Sequence, residues 1–143
     1  MGIGIRTTNE NGQSATDLGL LWDRFYGEHI PSQVANAVSD SVYSVYTDYE
    51  SDHRGAYLAF LGVPVSADAQ APKGLEILEL PGGKYQLFKA EGEMPKAVVD
   101  TWIEIWERDS ELARAYTADY EIYGPQSQQG DRSVVDIFVA INR

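Results

Sequence analysis

At 143 residues the chain is the size of one compact domain, and 43% hydrophobic content is enough to build a core. It contains no cysteine, which excludes disulfides, zinc–thiolate sites and thiol catalysis. Its net charge of −11, from 11 basic and 22 acidic residues, argues against nucleic acid, whose phosphates are held by Lys and Arg, and favours the accumulation of cations.

Met1 to Thr8 alternates loosely through Ile3 and Ile5 and predicts a first strand, closed by the turn cluster Asn9 to Gln13. Ser14 stands where an N-cap would, with Asp17 in the first turn. Leu18, Leu21, Trp22 and Phe25 follow at helical spacing. This helix is expected to end near Gly27 to Pro31, with a short helical turn over Gln33 to Val38. Val42 to Tyr49 and Tyr57 to Val65 are aromatic and β-branched, and read as a hairpin joined by Glu50 to Gly55. Ser66 to Gly74 reads as a linker. Leu75 to Leu80 alternates, and Pro81-Gly82-Gly83 would turn it into Lys84 to Ala90 as a second hairpin. The next helix opens around Met94-Pro95, proline suiting a first helical position, and carries a stripe of Val98, Trp102, Ile105 and Trp106. Asp119 to Tyr123 and Ser133 to Ile141 supply the last two strands.

One pattern is written twice. Tyr43-Ser44-Val45-Tyr46 recurs as Tyr120-Glu121-Ile122-Tyr123, Ala56 to Val63 has an apolar counterpart in Val134 to Ile141, and Phe25 corresponds to Trp102. The unit is strand, helix, strand, strand, with an extra strand before the second copy. We therefore expect an α+β fold of one domain over 1–143, built by tandem duplication of a βαββ unit. Repeat one covers about 2–65 and repeat two about 75–142, equivalent positions lie near an offset of 77, and a ligand cleft is expected between antiparallel, helix-backed halves.

Successive side chains of a strand point to opposite faces, so Glu121 and Tyr123 share one face and Tyr120 and Ile122 the other. The repeat offset sets Tyr46 and Tyr123 facing each other across the axis with Glu121 nearby. A carboxylate beside aromatic rings in a partly dry groove attracts an organic cation through Coulomb attraction at low dielectric and through cation–π contact, the latter worth roughly 0.5–2 kcal/mol per ring. Trp106 reads as a core residue, whereas Trp102 reads as either core or a stacking wall. No metal site is expected, because His29 and His53 have no cluster of neighbouring ligands, and no cofactor is expected. There is no Gly-x-Ser-x-Gly, phosphate loop or dinucleotide fingerprint, and no catalytic residue is assigned. The N-terminus lacks a basic stretch followed by an apolar one, and no apolar run approaches the ~20 residues of a membrane span, so a soluble, cytoplasmic protein is expected.

Four features together resemble the GyrI-like small-molecule-binding domain, also called the bacterial transcription-activator effector-binding domain. They are the hairpin strand running into Phe60-Leu61-Gly62-Val63, the turn Leu80-Pro81-Gly82-Gly83-Lys84-Tyr85 leading to Phe88, the tryptophan helix, and Tyr120-Glu121-Ile122-Tyr123 before a closing strand. The last is similar to that family's aromatic-Glu-x-Tyr signature. Relatives often close on isoleucine-proline, where this chain has Val139-Ala140-Ile141. The resemblance implies a pocket in which Glu121 meets lipophilic cations, lined by Tyr46, Tyr57, Trp102, Tyr123 and Phe138. Tyr46 and Tyr123 have strand parity behind them, while Tyr57, Trp102 and Phe138 rest on the resemblance.

The resulting expectation is a stand-alone bacterial binding protein for amphipathic, often cationic aromatic compounds, of the multidrug-binding kind found in transcription regulators. A DNA-binding helix-turn-helix segment is absent from the 143 residues. Two alternatives come with the resemblance: hydrolysis of electrophilic cyclopropane-type natural products by Glu121 with a tyrosine, and modulation of a protein partner such as gyrase.

Overall fold

The computed structural model describes residues 1–52 and 54–142, so His53 lies outside the described residues. Its strands are β1 (Gly2–Thr8), β2 (Val42–Thr47), β3 (Ala56–Gly62), β4 (Lys84–Glu91), β5 (Ala118–Tyr123) and β6 (Val134–Ile141). They form one antiparallel sheet in the order β1-β3-β2-β5-β6-β4. Read from either edge, the order is first, third and second strand of a strand-helix-strand-strand unit, meeting at the β2–β5 seam. The aromatic, β-branched composition of β2, β3, β5 and β6 suits such a half-buried pleated surface.

Two helices pack on one face, making two layers. Leu21 and Phe25 of α1 (Gln13–Gly27) are buried with Ile3, Tyr57, Ala59 and Leu61. Val98, Trp102 and Ile105 of α3 (Lys96–Glu107) are buried with Val135, Ile137 and Val139. These positions recur at three and four residues along each helix and at every second residue along each strand, the spacings that keep side chains on one face. Short helices α2 (Ile30–Gln33) and α4 (Asp109–Leu112) follow the two long ones and add Ile30 and Leu112 to the two cores. At the edge, β1 lies so close to β3 that a Cβ on Gly2 would stand 1.8 Å from the Leu61 carbonyl oxygen. Only glycine fits there.

Several local expectations are corrected. Leu75 to Leu80 does not pair with β4, whose partner is β6; instead Glu76 makes an isolated antiparallel bridge to Gly2 of β1. The alternation was real, but β1 offered the free edge, and the apolar Leu75 is buried under α1's core. No extra strand therefore precedes the second unit. Ser14 is not the N-cap of α1, because a 3-10 turn over Glu10–Gly12 carries the chain straight into the helix with Gly12 left-handed at φ +70°. Asp17 instead accepts from Thr7 Oγ1 at 2.7 Å and from Gln13 Nε2 at 3.1 Å, tying the helix start to β1. The helical turn placed over 33–38 falls over Ile30–Gln33, where buried Ile30 anchors it. Pro95 stands just outside α3 as its cap residue. Among the described residues, no helix is long and apolar enough to cross a membrane.

Candidate functional site: a buried glutamate at the seam

Pairing of β2 with β5 sets Ser44 opposite Glu121 and Tyr46 opposite Asp119, all on the helix-bearing face. Tyr46 and Tyr123 pack against both cores, the one under α1 and the one under α3. Glu121 thus lies where the two halves meet. It is 1% exposed.

Three neutral aromatic donors hold its carboxylate. Tyr46 Oη donates to Oε2 at 3.0 Å, Trp102 Nε1 donates to the same oxygen at 2.5 Å, and Tyr123 Oη donates to Oε1 at 2.7 Å. Behind Tyr46, Ser44 Oγ donates to its hydroxyl at 3.1 Å. Rings close the rest: Tyr46 meets Trp102 and Tyr57 edge-on at centroid distances of 5.6 and 5.8 Å, and Trp22 meets Tyr123 edge-on at 5.1 Å. Tyr57 is anchored outward by its hydroxyl on Asn9 Oδ1 at 2.7 Å.

Burial raises the Glu121 pKa above its ordinary value, and the donors Tyr123, Trp102 and Tyr46 pull part of that back. The tyrosines shift the same way. Burial, then the neighbouring Glu121 charge, holds Tyr46 and Tyr123 well above 10, and burial pushes Tyr57 up to about 12. With their pKa values raised, these hydroxyls stay protonated and act as donors to the carboxylate, the most acidic group among them.

Two residues along the strand, on the same face, a second carboxylate is treated quite differently. Asp119 is fully buried, and Arg114 Nη2 donates to its Oδ2 at 2.7 Å, Tyr49 Oη to Oδ2 at 2.5 Å and the Ala140 N–H to Oδ1 at 2.8 Å. Burial opposes the Arg114 charge, but Asp119 and the surrounding hydroxyls outweigh it and hold its pKa above the ordinary value. Asp119 has a counter-ion; none of the groups bonded to Glu121 carries a charge.

Five of the six residues singled out from the sequence meet in this site: Glu121, Tyr46, Tyr57, Trp102 and Tyr123. Phe138 does not. It pairs with Tyr120 on the opposite face, where the two rings stack at 4.9 Å, and its neighbour Ile137 is the residue that faces Glu121's side of the sheet. Sequence reasoning passed over Trp22, Asp119, Arg114 and Tyr49. A signal existed for Asp119, which shares the strand parity of Glu121, and for Trp22, which sits on the apolar stripe of α1. Arg114 and Tyr49 reach the site through the fold alone.

A two-layer fold of paired strand-helix-strand-strand units, with an acidic residue enclosed by aromatic donors at their seam, defines an effector-binding domain. The chain matches the family described as Cass2, integron-associated effector binding protein, over residues 1–141, and belongs to it. It is 34% identical to the integron cassette protein VCH_CASS2 from the mobile metagenome of Vibrio cholerae, whose crystal structure matches with a TM-score of 0.69 over 99% of this chain and 88% of that one. It is 30% identical to YobU of Bacillus subtilis (strain 168), named as a candidate transcriptional regulator, over 99% of this chain and 91% of YobU. The fold is shared with SAV2435, solved bound to tetraphenylphosphonium, at 20% identity and a TM-score of 0.75, covering 99% of this chain and 86% of that one.

Proposed function

We propose that this effector-binding protein takes up amphipathic aromatic compounds carrying positive charge, with Glu121 as the charge that selects them. The observation that carries this reading is the contrast within β5: a buried carboxylate ordinarily comes with a cationic partner, as Asp119 does, whereas Glu121 is held by neutral donors alone. A cation arriving there gains Coulomb attraction at low dielectric and contacts with the faces of Tyr46, Tyr57, Trp102 and Tyr123. Tyr46 and Trp102 both cover Oε2 and Tyr123 covers Oε1, so a ligand reaches the carboxylate as one or more of these donors gives way. The structural neighbour bound to tetraphenylphosphonium supports the same chemistry.

The test is titration calorimetry with tetraphenylphosphonium and with a neutral tetraphenyl analogue, on the wild type and on Glu121→Gln. The substitution keeps shape and removes charge, so cation affinity should fall by about 2 kcal/mol, roughly 30-fold, with little change for the neutral compound. Equal losses for both compounds, or none, would remove Glu121 from the recognition of charge.

A further inference from the structure

We propose that Arg114 fixes the charge of the ligand that this site accepts: by cancelling Asp119 it leaves Glu121 as the single buried side-chain charge without a counter-ion among the described residues, so the site selects one delocalised positive charge over two. This deepens the binding reading above and rests on it. Among the described residues, the buried charged side chains are Arg114, Asp119 and Glu121. Asp119 and Glu121 are alternate residues on one face of β5, spaced about 6.5–7 Å apart along the strand. Left unpaired, they would present two anionic centres at a separation that matches a compact bis-quaternary compound.

The geometry removes one of them. Arg114 is 2% exposed in its side chain, pairs with Asp119 at 2.7 Å and reaches Asp109, on the solvent side, at 3.4 Å. Its guanidinium carbon lies 4.3 Å from the Tyr116 ring centroid and 5.9 Å from that of Trp102. Trp102 therefore touches both charges, its N–H on Glu121 and its ring beside Arg114. The Arg114 Nε has no hydrogen-bond partner, so the guanidinium is seated by its ion pairs and ring contacts, not by filling every donor. A second positive charge entering beyond Glu121 would be stripped of water against a cation already in place, with no free carboxylate to meet it. A first charge finds Glu121 available.

The experiment compares an N-benzyl-4-phenylpyridinium monocation with N,N′-dibenzyl-4,4′-bipyridinium, which has similar rings and two charges. Both are titrated by calorimetry over a series of rising pH values, and affinities are compared on the plateau where they stop increasing, the carboxylate then being ionised. The wild type should bind the monocation at least tenfold more tightly. Arg114→Met should narrow or invert that ratio by tenfold or more, because Asp119 becomes a second anionic centre. Asp119→Asn, which leaves Arg114 the partly exposed Asp109 and removes its buried partner, should weaken the monocation at least tenfold. The double variant Arg114→Met/Asp119→Asn, which removes both buried charges of the pair, should regain wild-type monocation affinity and preference.

Thermal unfolding establishes which variants are folded, and should Arg114→Met fail to fold, the contrast between Asp119→Asn and the double variant decides. An unchanged ratio in folded Arg114→Met, or a double variant no better than Asp119→Asn, overturns the proposal while leaving monocation binding at Glu121 intact. Absence of monocation binding to the wild type would instead sink the binding reading on which it rests.

Discussion

Ser44 lies directly opposite Glu121 in the β2–β5 register, and the two hold the same place in the repeated tetrapeptides, 77 positions apart. The symmetric strand order thus brings a serine and a glutamate to one spot on the seam. Ser44 donates to Tyr46, and Tyr46 donates to Glu121, so the uncharged half supports the carboxylate of the charged half. A single negative charge results where a symmetric pair of glutamates would repel.

The raised pKa of Glu121 gives ligand binding a pH dependence of fixed sign. A cation favours the ionised carboxylate, so affinity should be full above the raised pKa and should weaken as pH falls through it. Tetraphenylphosphonium titrations across the range upward from 4.5, the ordinary glutamate value, check this. The empty protein should show the reverse trend in stability. The folded state holds its proton to higher pH than the unfolded chain, so the stability contributed by protonated Glu121 is lost as pH rises from the ordinary value to the raised one. Glu121→Gln should flatten both dependences, and profiles that match the wild type would count against the assignment.

Trp102→Phe keeps a ring against Tyr46 but removes the donor to Oε2. A hydrogen bond to a charged group contributes about 1.5–3 kcal/mol, so denaturant unfolding on the alkaline side of the Glu121 titration should show a loss of about 2 kcal/mol. The Glu121 pKa should climb further, because one of the bonds that lowers it is gone. Side-chain carbon chemical shifts of Glu121 followed against pH would detect that movement.

Phe138→Ala tests the assignment of faces. The ring stacks on Tyr120 away from Glu121, so its loss should cost about 2 kcal/mol of stability through lost packing. Tetraphenylphosphonium affinity should remain within twofold of wild type. A tenfold drop in a folded variant would bring Phe138 back into the pocket.

Phe25→Ala removes a ring that is fully buried beneath α1, and a cavity of that size costs about 3–5 kcal/mol. Phe25 lies in the core under α1, whereas Glu121 is bonded by Trp102 of α3, so the damage should fall on stability more than on affinity once ligand is present in excess. Thermal scans with and without tetraphenylphosphonium read the two effects separately.

Much of the molecule follows from local patterning. Side-chain period alone gives β2, β3, β5 and β6, the apolar stripes of both long helices, and the shared face of Glu121 and Tyr123. The repeated tetrapeptide announces the two units, because like sequences form like elements. Strand parity also contained the correction for Phe138, since Phe138 falls out of phase with the core residues Ile137 and Val139.

What the tertiary structure alone decided is which elements meet. Alternation in Leu75 to Leu80 marked a segment able to pair but could not say with what, and the edge of β1 took Glu76. The β2–β5 pairing, between strands separated by two helices and two further strands in the chain, brings Tyr46 to Glu121 and Tyr49 to Asp119. The turn after α4 delivers Arg114 to one carboxylate and leaves the other to neutral rings. Charge compensation in a dry interior depends on a few ångströms of separation, and sequence spacing does not measure that distance once the chain has folded back on itself.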